Sequence, residues 1–305
     1  MTAQTPTKSA PKTPPPLMPS TGDRILAFLK RSPVKIAVVL IAAVWSLPTV
    51  GLLISSFRGQ VDIRTSGWWD AILHPFETNW TLANYETVLT AEGMTEAFIN
   101  SLIVTIPATV IPITLALFAA YAFAWMTFPG RTIMFITVVV LLVVPLQMAL
   151  IPVLRMYTGF DLNGTFLGVW LAHAAFGLPL AIYLFYNYIA QLPKDLFESA
   201  FIDGASHYTA FVRLVLPLSL PAIASFAIFQ FLWVWNDLLI ALVFLGTGDD
   251  VTIVTSKLNE LVGTKGAAWH LLTAGAFLTM IIPLTVFLLM QRYFVRGLLA
   301  GSVKG

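Results

Sequence analysis

The sequence predicts an all-α polytopic membrane protein with six transmembrane helices and both termini on one side of the bilayer. Three observations carry that expectation: scarcity of charge, a series of long charge-free apolar runs, and an uneven distribution of basic residues among the segments joining those runs. Charged residues make up 10% of the 305 positions and hydrophobic residues 58%, whereas soluble globular chains carry roughly 25% charged residues. With a mean hydropathy of +0.83, the apolar surplus exceeds what a soluble core could hide, and the excess must face lipid. A formal net charge of +2 leaves no clustered basic footprint, so nucleic acid is excluded as a partner. Cysteine is absent, which excludes disulfides, thiolate metal sites and thiol catalysis.

A spanning helix needs about 20 mostly apolar residues to cross roughly 30 Å of hydrocarbon. The runs that satisfy this are 36–57, 98–126, 132–154 and 166–189, then 214–248, interrupted by Asp237, and 266–291. Cytoplasmic loops collect Lys and Arg. Twelve of the seventeen basic residues fall in one set of segments: Lys8, Lys12, Arg24, Lys30, Arg31, Lys35, Arg131, Lys194, Arg213, Arg292, Arg296 and Lys304. That set includes both termini, which are therefore expected to be cytoplasmic. The chain divides into a basic cytoplasmic tail over 1–30, a first transmembrane helix within 31–60, an extracytoplasmic segment over 61–96, a transmembrane core over 97–290 and a cytoplasmic tail over 291–305. The first twenty residues, rich in Pro, Thr and Lys, cannot bury enough apolar surface to order themselves. The apolar run that follows is longer than the h-region of a cleaved signal peptide, and no clear small-residue cleavage site follows it.

Proline recurs inside the spans at Pro107, Pro112, Pro145, Pro152, Pro179, Pro221 and Pro283. Kinked helices are tolerated in a bundle because neighbouring groups re-satisfy the freed carbonyls. Seven such sites favour a bundle that is not rigid throughout.

Residues 191–217 are too polar to cross and too patterned for an idle linker. Pro193 suits a first helical turn, and Phe197, Phe201, Tyr208, Phe211, Val212 and Val215 recur at helical spacing. Gly204 interrupts the pattern, which predicts two short helices with a bend. Ser199, Ala200, Gly204, Ala205 and Ser206 are small and would let another backbone approach, while Glu198 and Asp203 add carboxylates. An amphipathic helix on anionic lipid carries Lys and Arg on its polar face; here acids outnumber bases, which favours a protein partner.

Glu198-Ser-Ala-x-x-Asp203-Gly204-Ala205, with Phe211 and Leu216-Pro217-Leu218, resembles the cytoplasmic EAA loop of the integral membrane subunits of ABC importers. Ser199 stands where a second Ala is usual, a small-for-small change. Leu82-Ala83-Asn84-Tyr85, Asn100-Ser101-Leu102, Trp235-Asn236-Asp237, Arg292 through Leu298 and the ending Gly301-Ser302-Val303-Lys304-Gly305 are similar to the carbohydrate-uptake, maltose-type branch. The resemblance implies a type I importer permease bundle that pairs with a second homologous permease subunit, a dimer of ABC ATPase subunits and an extracytoplasmic sugar-binding protein. It implies that Glu198 to Ser206 couple ATPase closure to movement of the bundle, and that Gly301, Ser302 and Lys304 contact the ATPase dimer. The implied cargo is a sugar or oligosaccharide, with an α-glucoside preferred.

No Gly-x-x-x-x-Gly-Lys-Ser/Thr occurs, so the chain has no loop to cradle phosphates. It is expected to bind no cofactor and to be no enzyme, with ATP and Mg held by the partner ATPase subunits. His74, His173, His207 and His270 show no metal-ligand spacing. Gln230, Trp233 and Asp237 lie at i, i+3 and i+7 of the fifth span, with Asn236 adjacent, and form a candidate sugar-facing strip. An acid at mid-membrane costs about 2.5–3.5 kcal/mol and is a functional candidate by default; an indole face can stack on a sugar ring. The competing role is bundle packing, which is also the expected role of Asn100, Gln147 and His173. An ion-coupled secondary transporter is the rival class, but it would commonly show related halves around a midplane ion site, and no internal repeat is evident.

Overall fold

The structure, a computed structural model, describes residues 21–246, 248–263 and 268–300. The chain separates into two compact units, residues 1–51 and 52–305. The described part of the first unit is helical throughout and belongs to α1 (Thr21–Ser56), in which Pro33–Ser56 is long and apolar enough to cross a membrane.

In the second unit the short helices α2 (Gln60–Thr65), α3 (Trp68–Leu73) and α4 (Ala83–Thr90) lead into α5 (Met94–Trp125). Then follow α6 (Arg131–Leu141), α7 (Leu146–Thr158), α8 (Phe166–Ile189), α9 (Lys194–Ile202) and α10 (His207–Ala210). A π-helical turn over Phe211–Val215 joins α10 to α11 (Leu216–Trp235), after which come α12 (Leu239–Phe244), α13 (Val254–Gly263) and α14 (Trp269–Ala300). Among the described residues five helical stretches are long and apolar enough to cross, and the bent pair α6 and α7 makes a sixth.

Side-chain contacts fix the helix directions. Trp170, near the start of α8, reaches Ile103, near the start of α5, and Trp125, at the end of α5, reaches Ile189, at the end of α8. The two helices therefore run parallel, so α6 and α7 together must return the chain across the bundle. A re-entrant excursion would leave α8 starting at the wrong end. Leu218, early in α11, meets Tyr188, and Asp237, just past the end of α11, lies against His173, so α11 is antiparallel to α8.

Two expected spans need correction. The run 132–154 is not one helix: α6 and α7 meet at 106°. Pro145 has no N–H, and its ring disfavours the helical region for Val144. The end of α6 is closed by i→i−3 bonds from Leu142, Val143 and Val144, and Pro145 itself is extended at ψ 126°. The fifth span also differs. Its helix runs continuously over His207–Trp235, beginning inside the loop and ending before Asp237. Within it the amide of Leu216 donates to the Phe211 carbonyl, an i→i+5 bond just before Pro217, which supplies no N–H.

Three intramembrane prolines share one device. Pro107, Pro112 and Pro283 each deprive the carbonyl four residues earlier of its helical donor. Those carbonyls belong to Ile103, Ala108 and Thr279. The Trp170 indole N–H donates to Ile103 O at 2.8 Å, Gln230 Nε2 to Ala108 O at 3.2 Å, and the Trp235 indole N–H to Thr279 O at 3.2 Å. Each donor comes from a different helix than its acceptor, so the three bonds link α8 to α5, α5 to α11 and α11 to α14. An unsatisfied backbone group in hydrocarbon costs several kcal/mol, which makes each proline site depend on the neighbouring helix.

The end of the bundle opposite residues 191–217 is closed by side chains bonding to loop backbone. Asn84 Nδ2 donates to the Ser56 and Arg58 carbonyls, both at 2.9 Å, and the Tyr85 hydroxyl pairs with Ser56 Oγ at 2.6 Å. The buried Arg58 guanidinium donates to the carbonyls of Asp62 and Ser66 and to Ser66 Oγ. Asn100 Nδ2 donates to the Asp250 and Thr252 carbonyls at 3.1 and 3.0 Å, while Ser101 Oγ accepts from Val254 N at 2.9 Å. Replacing Asn100 with Leu is expected to cost about 1–3 kcal/mol by stranding these acceptors. Thermal unfolding in detergent should show a lowered midpoint; an unchanged midpoint would contradict this role.

Candidate functional site

The segment between α8 and α11 is built as a rigid bent element. Helix α9 starts after Pro193 and ends in a paired C-terminal motif: the Ala205 amide donates to Ala200 O at 2.9 Å and the Gly204 amide to Phe201 O at 3.1 Å. Gly204 takes the left-handed conformation this motif requires, with φ +81°. A Cβ there would meet nothing within 4 Å, so within this chain Gly204 is needed for its backbone angle and not for close approach. The next helix opens on Ser206, whose Oγ accepts from Thr209 N at 3.2 Å.

Aromatic contacts hold this element to the end of α5. Phe197 is fully buried and stacks on Trp125 with centroids 3.9 Å apart. The Tyr121 hydroxyl pairs with His207 Nδ1 at 2.9 Å, and Phe211 stacks on Phe118 at 4.7 Å while packing against Tyr121. Burying a side chain such as Phe197 contributes about 1.5–3 kcal/mol, and each ring pair about 0.5–1.5 kcal/mol more. The predicted apolar stripe therefore splits. Phe197, Phe211 and Val215 face the bundle, whereas Phe201, Tyr208 and Val212 are exposed, so each half of the segment, before and after Gly204, contributes residues to both faces.

Of the residues expected to couple, Glu198, Ser199, Asp203, Gly204 and Ser206 are exposed, and Ala200 and Ala205 are half-buried. They occur together on the outer side of the bend. Leu196, Ile202 and Tyr208 are exposed beside them, Ile202 at 85%. Three large apolar side chains and two carboxylates thus share a surface that the adjoining helices leave uncovered. Trp125 and Tyr121, which fix this surface in place, were not singled out in the sequence, where they read as ordinary aromatics ending a span. Gly301, Ser302 and Lys304 lie outside the described residues.

The candidate sugar strip does not survive as a single face. Gln230 is fully buried and capping Ala108 O, pressed against Gly177. Asp237 does not lie at mid-helix: α11 ends at Trp235, and Asp237 Oδ2 accepts from the Ile240 and Ala241 amides at 2.8 and 3.3 Å, capping α12. The Asp237 carbonyl also accepts from Thr255 Oγ1 at 2.8 Å. His173 joins this group. Its Nδ1 shares a hydrogen bond with the Val169 carbonyl, which can only accept, so Nδ1 carries the proton. Nε2 stands 3.5 Å from Asp237 Oδ2, and the ring meets Trp233 edge-on at 5.5 Å. Asn236 is exposed, its Nδ2 donating to Leu232 O at 2.7 Å. Trp233 and Asp237 therefore gather with His173 at the end of the bundle away from α9, with Asn236 next to them in the chain, and Gln230 belongs to the packing between helices. Asn100 bonds to loop carbonyls, while Gln147 is exposed. No group of three or more metal-ligating side chains occurs among the described residues.

This arrangement, a helical bundle with five or six candidate spans and an ordered bent element between two of them, is that of a polytopic membrane protein. Residues 98–299 match the family described as the binding-protein-dependent transport system inner membrane component. The chain is 62% identical over 283 residues to the osmoprotective compounds uptake permease protein GgtD of Synechocystis, covering 92% of this chain and 95% of that one. It is 43% identical to the alpha-glucoside transport system permease protein AglG of Rhizobium meliloti, covering 90% and 99% of the two chains. Its fold matches a chain in the crystal structure of a bacterial ABC transporter that imports alginate, with a TM-score of 0.71 at 18% identity over 90% of this chain and 98% of that one. The chain belongs to the family of ABC importer permeases, the inner-membrane components of binding-protein-dependent transport systems.

Because the constraint at Gly204 is conformational, Gly204→Ala and Gly204→Trp should destabilise the isolated permease by similar amounts, about 1–2 kcal/mol, and Gly204→Asn by less. Thermal unfolding of the three variants in detergent checks this ranking. A much larger loss for Trp alone would show that the site is crowded within the chain.

Proposed function

We propose that this permease carries a sugar or oligosaccharide, with an α-glucoside preferred, across the bacterial cytoplasmic membrane, and that its termini are cytoplasmic. The names of the relatives GgtD and AglG support a glycosidic or osmoprotective cargo. The bias of twelve in seventeen basic residues toward the sequence segments that include 191–217 and both termini supports the orientation. In this reading residues 191–217 dock on a dimer of ABC ATPase subunits, which bind ATP and Mg. A second homologous permease subunit completes the membrane pore, and an extracytoplasmic binding protein delivers cargo to the opposite end, where Trp233 and Asp237 gather with Asn236 next to them in the chain. The cytoplasmic C-terminal residues Gly301, Ser302 and Lys304 add a contact to the ATPase dimer.

The observation that carries the reading is the surface of α9 and its bend. It exposes Leu196, Ile202 and Tyr208 together with Glu198 and Asp203, while Phe197 and His207 fasten it to α5. Apolar side chains exposed on a segment too polar to enter lipid are suited to a protein groove. A knob anchored by stacked aromatics transmits displacement to the helix that holds it.

Changing both Glu198 and Asp203 to Lys should leave membrane insertion intact but weaken ATPase docking by about 2 kcal/mol or more, roughly thirtyfold in affinity. Co-purification and uptake in proteoliposomes are the measurements; wild-type uptake by the assembled double variant would overturn the docking assignment. A thermal-shift panel on the cognate binding protein should show its largest stabilisation with α-glucosides. Stabilisation only by amino acids or inorganic ions would overturn the cargo assignment.

A further inference from the structure

Gln230 has no role in the account of cargo or docking given above, yet it is a large, fully enclosed polar side chain of α11. It is fully buried, its Nε2 donates to the Ala108 carbonyl that Pro112 has freed, and its Oε1 is buried without a partner. On its other side lies Gly177 of α8, where a Cβ would fall 2.7 Å from Oε1 and 2.8 Å from Nε2. One amide thus fills the gap where α5, α8 and α11 meet, and the glycine leaves room for it.

We propose that Gln230 is a positioning residue for transport: its bond to Ala108 O locks α11 to α5, so that displacement of the α9 knob moves both helices together. The knob enters α11 directly through α10 and the π-helical turn, and it touches α5 through Phe197, His207 and Phe211. Those contacts lie at one end of the bundle. Farther along, Gln230 supplies a side-chain hydrogen bond between α11 and α5. Without it the Ala108 carbonyl is left bare in a low-dielectric interior, and α5 is free to slide against α11. The lone Oε1 means that the amide is held by a single bond and by the shape of the Gly177 gap.

The inference rests on the ABC importer reading, and the experiment separates the two. Complete importer is reconstituted in proteoliposomes with its binding protein, and sugar taken up per ATP hydrolysed is measured for wild type, Gln230→Leu, Gly177→Ala, Pro112→Ala and the double variant Pro112→Ala with Gln230→Leu. Gln230→Leu should lower uptake per ATP by about tenfold. Gly177→Ala should do the same by displacing the amide. Pro112→Ala restores the helical donor to Ala108 O, so the double variant should recover to within about twofold of wild type. Should Gln230→Leu fail to assemble, recovery of assembly in the double variant supports the same conclusion. No recovery in the double variant, or unaltered coupling in Gln230→Leu, overturns the proposal. A raised KM for the sugar that Pro112→Ala does not correct also overturns it, by making Gln230 a cargo contact. A wild-type complex that takes up no sugar would instead overturn the importer reading.

Discussion

A backbone carbonyl in hydrocarbon has nowhere to turn but to another protein group, and this requirement organises the permease. Three prolines in α5 and α14 each expose one carbonyl, and three side chains from neighbouring helices cover them. The prolines and the helix packing are therefore not separable features. An α5 without Pro107 and Pro112 would use both carbonyls within the helix, and a displaced α8 or α11 would leave them bare. The same logic extends to the end of the bundle away from α9, where Asn84, Asn100 and Ser101 bond to backbone groups of irregular segments.

At the other end the organising force is aromatic. The knob formed by α9 and its bend is fixed through Phe197 on Trp125, His207 on Tyr121 and Phe211 on Phe118. Its second helix continues without interruption into α11. A push on the exposed acids and apolar side chains therefore reaches α5 by packing and α11 by covalent continuity. The stacked anchors set the direction of that push, and the carbonyl caps keep the two helices from separating along their length.

Much of this was legible in the sequence because the relevant signals are compositional. Charge-free runs located the spans, and α8 has the bounds the sequence predicts, Phe166–Ile189. Gly204 announced the bend, since few other residues tolerate φ +81°. Proline was a poorer guide. Pro107 and Pro112 leave α5 continuous, whereas Pro145 divides α6 from α7, and what separates the cases is whether a neighbouring helix supplies a donor or the chain turns instead. Sequence spacing cannot tell those outcomes apart. Asp237 and Gln230 were misplaced for a related reason: a polar residue in an apolar run can face cargo, cap a helix or satisfy a neighbour, and only the packing decides. Asp237 proved to cap α12 and Gln230 to cover Ala108 O. The roles of Asn84 and Asn100 were hidden in motifs that resembled a family without stating a reason.

On the proposed function, cargo would enter at the end of the bundle where Trp233 and Asp237 meet His173, the knob would dock at the other end, and the carbonyl caps lie between. The most direct test is an electron cryo-microscopy map of the complete importer in lipid nanodiscs, without nucleotide and with a non-hydrolysable ATP analogue. The account predicts that the Trp170, Gln230 and Trp235 donors remain within hydrogen-bond distance of the Ile103, Ala108 and Thr279 carbonyls in both maps while the helices move together. Finding those carbonyls unpaired in either map, or α5 sliding past α11 between the two, would contradict it.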